Sequence, residues 1–181
     1  MKYSEPTVKT EKIYDGRIIN VRRDTVKLCN GAEAGREIVE HPGGVCVVAC
    51  TDEGKILIVK QFRKPFDEET LEIPAGKLDY GEAHYDCGLR ELKEETGYTA
   101  GRYIYIGEFY PTPGFCNENI HIYYADNLIK GEQDPDEDEF LEVYEYTYDE
   151  LLGMIMSGEI HDCKTVIGIL MMREMKEKGK I

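Results

Sequence analysis

The segment RELKEETG (90–97) places negative charge where an α-helix tolerates it least. Residues 90–96 are predicted to be helical and Gly97 to end the helix, because glycine adopts the left-handed conformation of a C-terminal cap. The final turns of this helix hold three acids: Glu91, Glu94 and Glu95. The helix dipole favours cations at this end, and like charges spaced as Glu91 and Glu95 are repel each other. Such a chain requires something that compensates this charge.

A bound divalent cation would compensate it. Mg²⁺ takes oxygen ligands and is usually held by one or two carboxylates together with substrate phosphates. Glu91 and Glu95 lie one helical turn apart and are predicted to hold one ion or two neighbouring ions. Glu94 is predicted to lie at the edge of this cluster, held by an i,i+4 ion pair with Arg90. The alternative is an exposed acidic face on a surface helix, which is commoner for an isolated run of this kind.

The surrounding residues 76–98, GKLDYGEAHYDCGLRELKEETGY, decide between the two. Glycine, glutamate and arginine recur there at fixed spacings: Gly76, Glu82, Arg90, Glu91, Glu94, Glu95 and Gly97. This pattern resembles the Nudix box of the Nudix hydrolase family, a loop–helix–loop motif. The one departure is Tyr98, where the family usually has an aliphatic residue, and it affects packing rather than chemistry.

The resemblance implies an α/β fold in which a mixed β-sheet is sandwiched between helices, with the box beside the sheet. It implies hydrolysis of a nucleoside diphosphate linked to another group. Glu91 and Glu95 would be the main metal ligands, joined by the main-chain carbonyl of Ala75, and Glu94 would bind metal or its waters. Glu82 would be structural or a water-mediated ligand. Divalent cations suit this reaction because they neutralise the pyrophosphate, orient it and activate water.

Segments outside the box resemble the ADP-ribose pyrophosphatases: residues 40–49, 59–82, 109–118 and 158–171. The resemblance runs from about residue 14 to residue 172 and implies conversion of ADP-ribose to AMP and ribose 5-phosphate with Mg²⁺, or with Mn²⁺ in its place. One alternative is a pyrophosphatase of another nucleoside-diphosphate sugar. Another is a non-catalytic Nudix module that binds ADP-ribose, although such a sensor has no need of mutually repelling acids.

Four residues outside the box are candidates for binding or catalysis. Arg63 in QFR is predicted to bind substrate phosphate, because guanidinium grips phosphate bidentately; the alternative is a surface arginine paired within Asp67–Glu69. Arg36 is a second candidate of the same kind. Glu118, at the end of PTPGFCNE, is predicted to be the general base or a further metal ligand, with a solvent-exposed loop acid as the alternative. Phe115 in that loop either binds substrate or packs the loop.

Recognition of the base is left open by the sequence. Some members of the subfamily stack adenine between tryptophans, but this chain has no Trp, and its 13 Tyr and 5 Phe are the available aromatic faces. Tyr3 and Tyr14 are candidates by position alone. Tyrosines at alternating strand positions are more often core or edge residues.

Turn signals at Asp15-Gly16 and Asn30-Gly31 predict a small N-terminal antiparallel β-element over residues 1–40, followed by the Nudix domain over 41–181. The resemblance implies exchange of this element across a two-fold homodimer. The hydrophobic patterns predict strands and helices over 45–50, 55–60, 71–73, 83–96 (helix), 103–110, 120–125, 140–147, 148–157 (helix) and 162–177 (helix), with a loop at PAGKLDYGE.

The charge balance excludes several classes of partner. The chain has 36 acids against 22 Lys and Arg, giving a net charge of −14, which argues against nucleic acids and anionic membranes. The acid-rich segment 132–139 is predicted to be a solvated loop, with an active-site rim as the alternative. A calcium buffer is not expected, because no EF-hand spacing is present.

The remaining signals favour the cytoplasm. No apolar run approaches the roughly 18 residues that span a bilayer, and the N-terminus lacks the apolar stretch of a signal peptide. Six scattered cysteines without a CxxC pair predict reduced thiols. Cys46, Cys50 and Cys87 lie in apolar patterns and are predicted to be core residues.

Overall fold

The computed structural model describes residues 3–135 and 139–181. Ten strands and three helices lie in those ranges: β1 (Thr7–Asp15), β2 (Asn20–Lys27), β3 (Glu33–Glu40), β4 (Gly44–Ala49), β5 (Ile56–Arg63), β6 (Glu68–Glu72), β7 (Ala75–Lys77), α1 (His84–Thr96), β8 (Tyr98–Phe109), β9 (Ile120–Lys130), β10 (Leu141–Tyr146), α2 (Tyr148–Ser157) and α3 (Cys163–Glu177). The chain forms two compact units. One unit contains the residues up to Gly43 together with Tyr110–Asn119, and the other contains Gly44–Phe109 and Ile120–Ile181.

The first unit is built on an antiparallel sheet of β1, β2 and β3. Both predicted turn signals are confirmed, since Asp15-Gly16 and Asn30-Gly31 fall at the ends of paired strands. β1 is exposed along its whole length. The loop 110–119 belongs to this unit because Val39 of β3 binds it, donating to the Phe115 carbonyl at 2.8 Å and accepting from the Asn117 N–H at 3.1 Å.

The second unit contains the predicted mixed sheet. Its strand order is β7-β4-β9-β8, in which β4 and β9 are parallel and the other pairs antiparallel. β4 is buried on both faces, and its side chains alternate between two helices. Val47 points into a cluster with Leu92 of α1, whereas Val48 points into a cluster with Ile169 of α3. The predicted sheet between helices is therefore confirmed. An antiparallel sheet, β10-β5-β6, completes this unit.

The prediction of an uninterrupted loop at PAGKLDYGE is wrong. Ala75–Lys77 forms β7 and pairs antiparallel with β4, placing Ala75 opposite Cys46. Proline and glycine signal a break in a strand, but three residues are too few to show alternation. This strand depends on a partner edge about 30 residues earlier in the chain, which local pattern does not reveal.

The cysteine prediction is confirmed. All six cysteines are free thiols, and Cys46, Cys50 and Cys87 are buried. Among the described helices, none has the length and apolar character needed to cross a bilayer. The acid-rich segment is exposed over 132–135 and at Glu139, while residues 136–138 lie outside the described residues.

Candidate active site

The acidic helix α1 has the predicted bounds but not an exposed acidic face. Gly97 ends it in the left-handed conformation, with φ of 76°, and donates to the Lys93 carbonyl at 2.8 Å. Glu91 and Glu95 point inward and are only 9% and 2% exposed. The alternative of a solvated surface face is therefore wrong for these two glutamates.

The two inward glutamates carry charge at an energetic cost. Burial raises the pKa of Glu95 to about 8, even though its Oε2 accepts a hydrogen bond from the Ala75 N–H at 2.9 Å. Burial also raises the pKa of Glu91 to about 7, against the opposing effect of Arg90, whose Nη1 lies 2.8 Å from Glu91 Oε1. A divalent cation would offset this cost, because it stabilises the ionised form of both groups.

Arg90 organises the other acids of the box. Its Nη1 donates to Glu94 Oε2 at 2.8 Å, which confirms the predicted i,i+4 ion pair. Its Nε and Nη2 donate to the two oxygens of Glu82 at 3.0 and 3.1 Å. These bonds, with one from the Asp79 N–H, lower the pKa of Glu82 to about 2. One guanidinium thus fixes two carboxylates at the rim of the buried pair.

Gly76 leaves the space that the Glu91 carboxylate occupies. A Cβ atom on residue 76 would lie 1.8 Å from Glu91 Cδ and 1.9 Å from its Oε1. The glycine of the box is therefore required by close approach, since any side chain would displace the carboxylate. The β7 backbone consequently lies directly beside both buried carboxylates.

These donors fit a divalent cation, although the side chains alone do not complete its coordination. In residues 3–135 and 139–181, no group of three or more His, Cys, Asp or Glu side chains is arranged to hold a metal ion. Glu94 and Glu82 instead form ion pairs with Arg90. The buried pair, with main-chain oxygen beside it, still supplies the hard ligands that Mg²⁺ prefers, and Mg²⁺ usually completes its shell with water and substrate phosphate.

Gly76→Ala is expected to lower kcat by roughly 10²-fold, because the new methyl group displaces the Glu91 carboxylate by more than 1 Å and such misplacement has that effect on rate. The matched control is Gly153→Ala in α2, where a Cβ meets no atom within 4 Å. Steady-state rates at saturating metal, compared with thermal melts, test this. Equal rates for both alanine variants would show that the position of Glu91 does not matter.

Arg63 forms an ion pair that the sequence did not predict. Its Nε and Nη2 each donate to Glu72 at 2.7 Å, so the proposed pairing within Asp67–Glu69 is wrong. Lys164 also pairs with Glu72. Burial opposes ionisation of Glu72, but these two cations outweigh it and lower its pKa to about 2. Sequence separation hid this contact, since Glu72 and Lys164 are 92 positions apart in the chain.

The other candidates lie in the first unit. Glu118 is 28% exposed, and its Oε1 lies 3.5 Å from Nδ1 of His41, which accepts from the Gly43 N–H. Phe115 is 57% exposed and so does not pack the loop. Arg36 forms a two-bond pair with Glu5, at 2.8 and 2.6 Å.

Three described residues of the acid-rich segment interact with α1 or with its buried glutamates, a role that the sequence only suggested. Gln133 Nε2 donates to the Glu95 carbonyl at 2.6 Å, and the Asp134 N–H donates to the Glu94 carbonyl at 3.0 Å. The charge of Glu139 raises the pKa of both Glu91 and Glu95. The excess of acids was the available signal, but a solvated loop and an active-site rim share that composition.

Comparison with known proteins agrees with this geometry. The NUDIX domain profile matches residues 40–162, and the profile "Nucleoside diphosphate sugar hydrolase N-terminal domain" matches residues 5–44. The chain is 47% identical to "ADP-ribose pyrophosphatase" of Bacillus subtilis (strain 168), over 91% of this chain and 90% of that protein. It is also 47% identical to "Methanol dehydrogenase activator" of Bacillus methanolicus, over 92% of this chain and 91% of that protein.

A solved structure described as "Crystal structure of ADP compounds hydrolase" shares the fold, with a TM-score of 0.85 and 20% identity, over 98% of this chain and 97% of that chain. The profile match covers most of the chain, including the buried carboxylate pair and the glycine beside it. The chain therefore belongs to the Nudix family of divalent-metal-dependent pyrophosphohydrolases.

Proposed function

We propose that this protein hydrolyses the pyrophosphate bond of ADP-ribose, giving AMP and ribose 5-phosphate, with Mg²⁺ as the preferred metal. The observation that carries the proposal is the pair of buried carboxylates, Glu91 and Glu95, whose charge is only partly compensated, beside the β7 backbone. The choice of substrate is supported by the 47% identity to a protein named for this activity.

Each box residue has a role in this proposal. Glu91 and Glu95 would hold the metal together with the Ala75 carbonyl, and the metal would supply charge neutralisation and water activation. Glu94 and Glu82 would orient metal-bound waters, a role for which Arg90 keeps their carboxylates fixed.

Residues outside the box would act on substrate. Arg63 and Arg36 would contact the phosphates, and Phe115 would contact the nucleoside. Glu118 would act as general base or as an additional ligand. Both arginines are already held by carboxylates through two hydrogen bonds, which fixes the orientation of each guanidinium plane.

A panel of substrates tests the proposed reaction. Release of the nucleoside monophosphate, which is AMP for ADP-ribose, is measured for ADP-ribose and for other nucleoside-diphosphate sugars, each with Mg²⁺ and with Mn²⁺. The highest kcat/KM is expected for ADP-ribose with Mg²⁺. Preference for another sugar nucleotide would favour the alternative pyrophosphatase, which the profile matched at residues 5–44 also suits. Tight binding of ADP-ribose without hydrolysis would instead identify a non-catalytic module.

Equal identity to the methanol dehydrogenase activator makes a second assay worthwhile. The protein, with metal, is added to a methanol dehydrogenase, and the dehydrogenase rate is compared with and without Glu95→Gln in this chain. Stimulation that requires Glu95 would make activation a consequence of hydrolysis. Stimulation that survives the substitution would separate the two functions.

Arg63→Ala is expected to raise KM by roughly 10-fold or more while changing kcat by only a few-fold. This is the signature of a contact made equally in the ground and transition states. Arg102→Ala is the control, because Arg102 on β8 also forms a two-bond ion pair, with Asp126 on β9. These two strands belong to a different sheet from the one that contains Arg63. A hundredfold fall in kcat at unchanged KM would instead assign Arg63 to the transition state.

We further propose that residues 1–40 exchange between the protomers of a homodimer in the cytoplasm, and that neither nucleic acid nor membrane is a partner. The uniformly exposed β1 supports exchange, because an uncovered sheet needs a partner. The six free thiols and the charge of −14 support the location and the excluded partners. Light scattering of the full chain and of a chain lacking residues 1–40 tests the assembly.

A further inference from the structure

A buried ionic cluster lies next to the carboxylate pair without being part of it. Glu72, the last residue of β6, is 2% exposed and receives hydrogen bonds from four donors. Arg63 supplies two of them at 2.7 Å, Thr70 one at 2.6 Å, and Lys164 Nζ the fourth. Every one of these partners belongs to the second unit.

Lys164 ties this cluster to the beginning of α3. Its side chain is 13% exposed, and its Nζ contacts both Glu72 and, at 3.0 Å, Oδ1 of Asp162. Asp162 is the N-cap of α3 and accepts from the Thr165 N–H at 2.9 Å. Thr165 Oγ in turn accepts from the Ile73 N–H at 2.9 Å. Two consecutive residues of the β6–β7 segment are therefore bound to the first turn of one helix.

The same segment continues directly into the proposed metal site. After Ile73, the Pro74 carbonyl accepts from the Val47 N–H at 2.9 Å, and the Ala75 N–H donates to Glu95. The Glu91 carboxylate occupies the space beside Gly76. Residues 72–76 are thus fixed by α3 at one end, while at the other end they are hydrogen-bonded to Glu95 and lie close to Glu91.

The packing of α3 leaves little freedom for this segment to shift. A Cβ on Gly168, one turn after Thr165, would lie 2.8 Å from Val48 and 3.0 Å from Ile73. A buried ion pair is weak evidence for stability, because apolar replacements of similar volume are often equally stable. What the cluster supplies instead is a defined distance and orientation between α3 and residues 72–76.

We propose that Lys164 and Glu72 are positioning residues that fix the main chain at Ala75 and Gly76, and thereby pre-organise the Glu91 and Glu95 carboxylates for a divalent cation. The inference rests on the proposed function, since it concerns the metal held by those two glutamates. It assigns a role to side chains that touch neither metal nor substrate. Residues that orient metal ligands in this way typically change metal affinity by 10–100-fold when they are replaced.

Lys164→Met tests the proposal with Mn²⁺ as the probe. The dissociation constant of Mn²⁺ alone is measured by the loss of its electron paramagnetic resonance signal, without substrate. It is expected to rise by roughly 10–100-fold. Apparent Mg²⁺ affinity in the rate assay is expected to weaken in parallel, with kcat at saturating Mg²⁺ falling less than the affinity does.

Three further variants separate positioning from folding. Lys176→Met makes the same substitution on the same helix, at an exposed site whose amine contacts Cys50, and should leave Mn²⁺ binding unchanged. Lys164→Arg keeps the charge and donors and should restore most of the affinity. The double variant Glu72→Gln/Lys164→Met removes one charge of each sign from the cluster and leaves Arg63 and Asp162 to balance each other, so it should recover melting temperature without recovering Mn²⁺ affinity.

The results have distinct meanings. Mn²⁺ affinity of Lys164→Met within threefold of the unsubstituted protein would overturn the inference. An affinity that returns together with the melting temperature in the double variant would also overturn it, because the cluster would then be structural. If the unsubstituted protein hydrolyses its substrate but Glu91→Gln and Glu95→Gln bind Mn²⁺ as it does, the proposed metal site itself fails.

Discussion

Glu95→Gln, and separately Glu91→Gln, is expected to lower kcat by roughly 10³-fold or more. In EDTA at pH 8, each substitution is expected to raise the melting temperature. The loss of rate follows because each glutamate would hold the metal that the reaction requires. The gain in stability follows because each carboxyl is buried and neither has its charge fully compensated. A neutral amide of nearly the same shape removes that unfavourable charge. At position 95 the amide oxygen can still accept the hydrogen bond from the Ala75 N–H.

The pH dependence has a definite sign. Both carboxyls have an ordinary pKa of 4.5, which burial raises to about 7 for Glu91 and about 8 for Glu95. Between pH 4.5 and about 8 the folded protein therefore holds more protons than the unfolded chain, so its stability falls as pH rises. The contribution is fully present below pH 4.5 and is lost as pH rises through the folded pKa values; it is on the order of 3 kcal/mol for Glu91 and about 5 kcal/mol for Glu95.

Thermal melts in EDTA from pH 5 to pH 9 measure this directly. The unsubstituted protein should lose stability across the range, and each glutamine variant should lose visibly less. Glu177→Gln is the control, because Glu177 lies exposed on α3 and pairs with Arg173. Added Mg²⁺ should stabilise the unsubstituted protein most at high pH, since metal binding requires ionised ligands. Glutamine variants that melt several degrees lower in EDTA at pH 8 would show that these glutamates are structural.

The box was readable from sequence because its geometry is local. Glu91, Glu94 and Arg90 lie on one helix, so helical periodicity alone predicts the ion pair between Arg90 and Glu94. The helix end at Gly97 also follows from a single residue of known conformational freedom. The alternation of β4 between two helices is likewise a property of strand geometry.

The parts that sequence did not reveal depend on distant partners. β7 exists because Ala75–Lys77 meets the edge of β4. Arg63 binds Glu72 although the register of β5 and β6 places Glu68 opposite it. Lys164 reaches Glu72 from a helix 92 residues later in the chain. The burial of Glu91 and Glu95 is also tertiary, since it requires the sheet below and β7 beside them. Charge pattern on a helix indicated a cation site, but it did not indicate that two of the three acids lie inside the protein.

Glu118→Gln is expected to lower kcat by roughly 10²–10⁴-fold while changing KM little. If Glu91 and Glu95 bind metal, they are poor bases, because a ligand carboxylate has its lone pairs engaged. A carboxylate from a separate loop would then accept the proton of the attacking water or provide an additional metal ligand. The loop PTPGFCNE combines two prolines with Gly114, so it is stiff except at one position, which suits a segment that carries a reactive side chain over bound substrate.

Mg²⁺ titration separates these two roles of Glu118. A general-base variant keeps the Mg²⁺ requirement of the unsubstituted protein and stays slow at every concentration. A ligand variant needs more Mg²⁺ and recovers part of its rate when Mg²⁺ is saturating. Glu37→Gln is the control, because Glu37 is an exposed glutamate on β3 of the same unit.

Retention of more than half of the kcat by Glu118→Gln at saturating Mg²⁺ would exclude both roles. Glu139→Gln then becomes the decisive variant, because the charge of Glu139 raises the pKa of both Glu91 and Glu95. Gln133 and Asp134 of the same segment are hydrogen-bonded to the last turn of α1, the helix that carries the carboxylate pair. A 10²-fold or larger fall in kcat for Glu139→Gln, with Glu118→Gln near normal, would move the proton-accepting role from the first unit to the second.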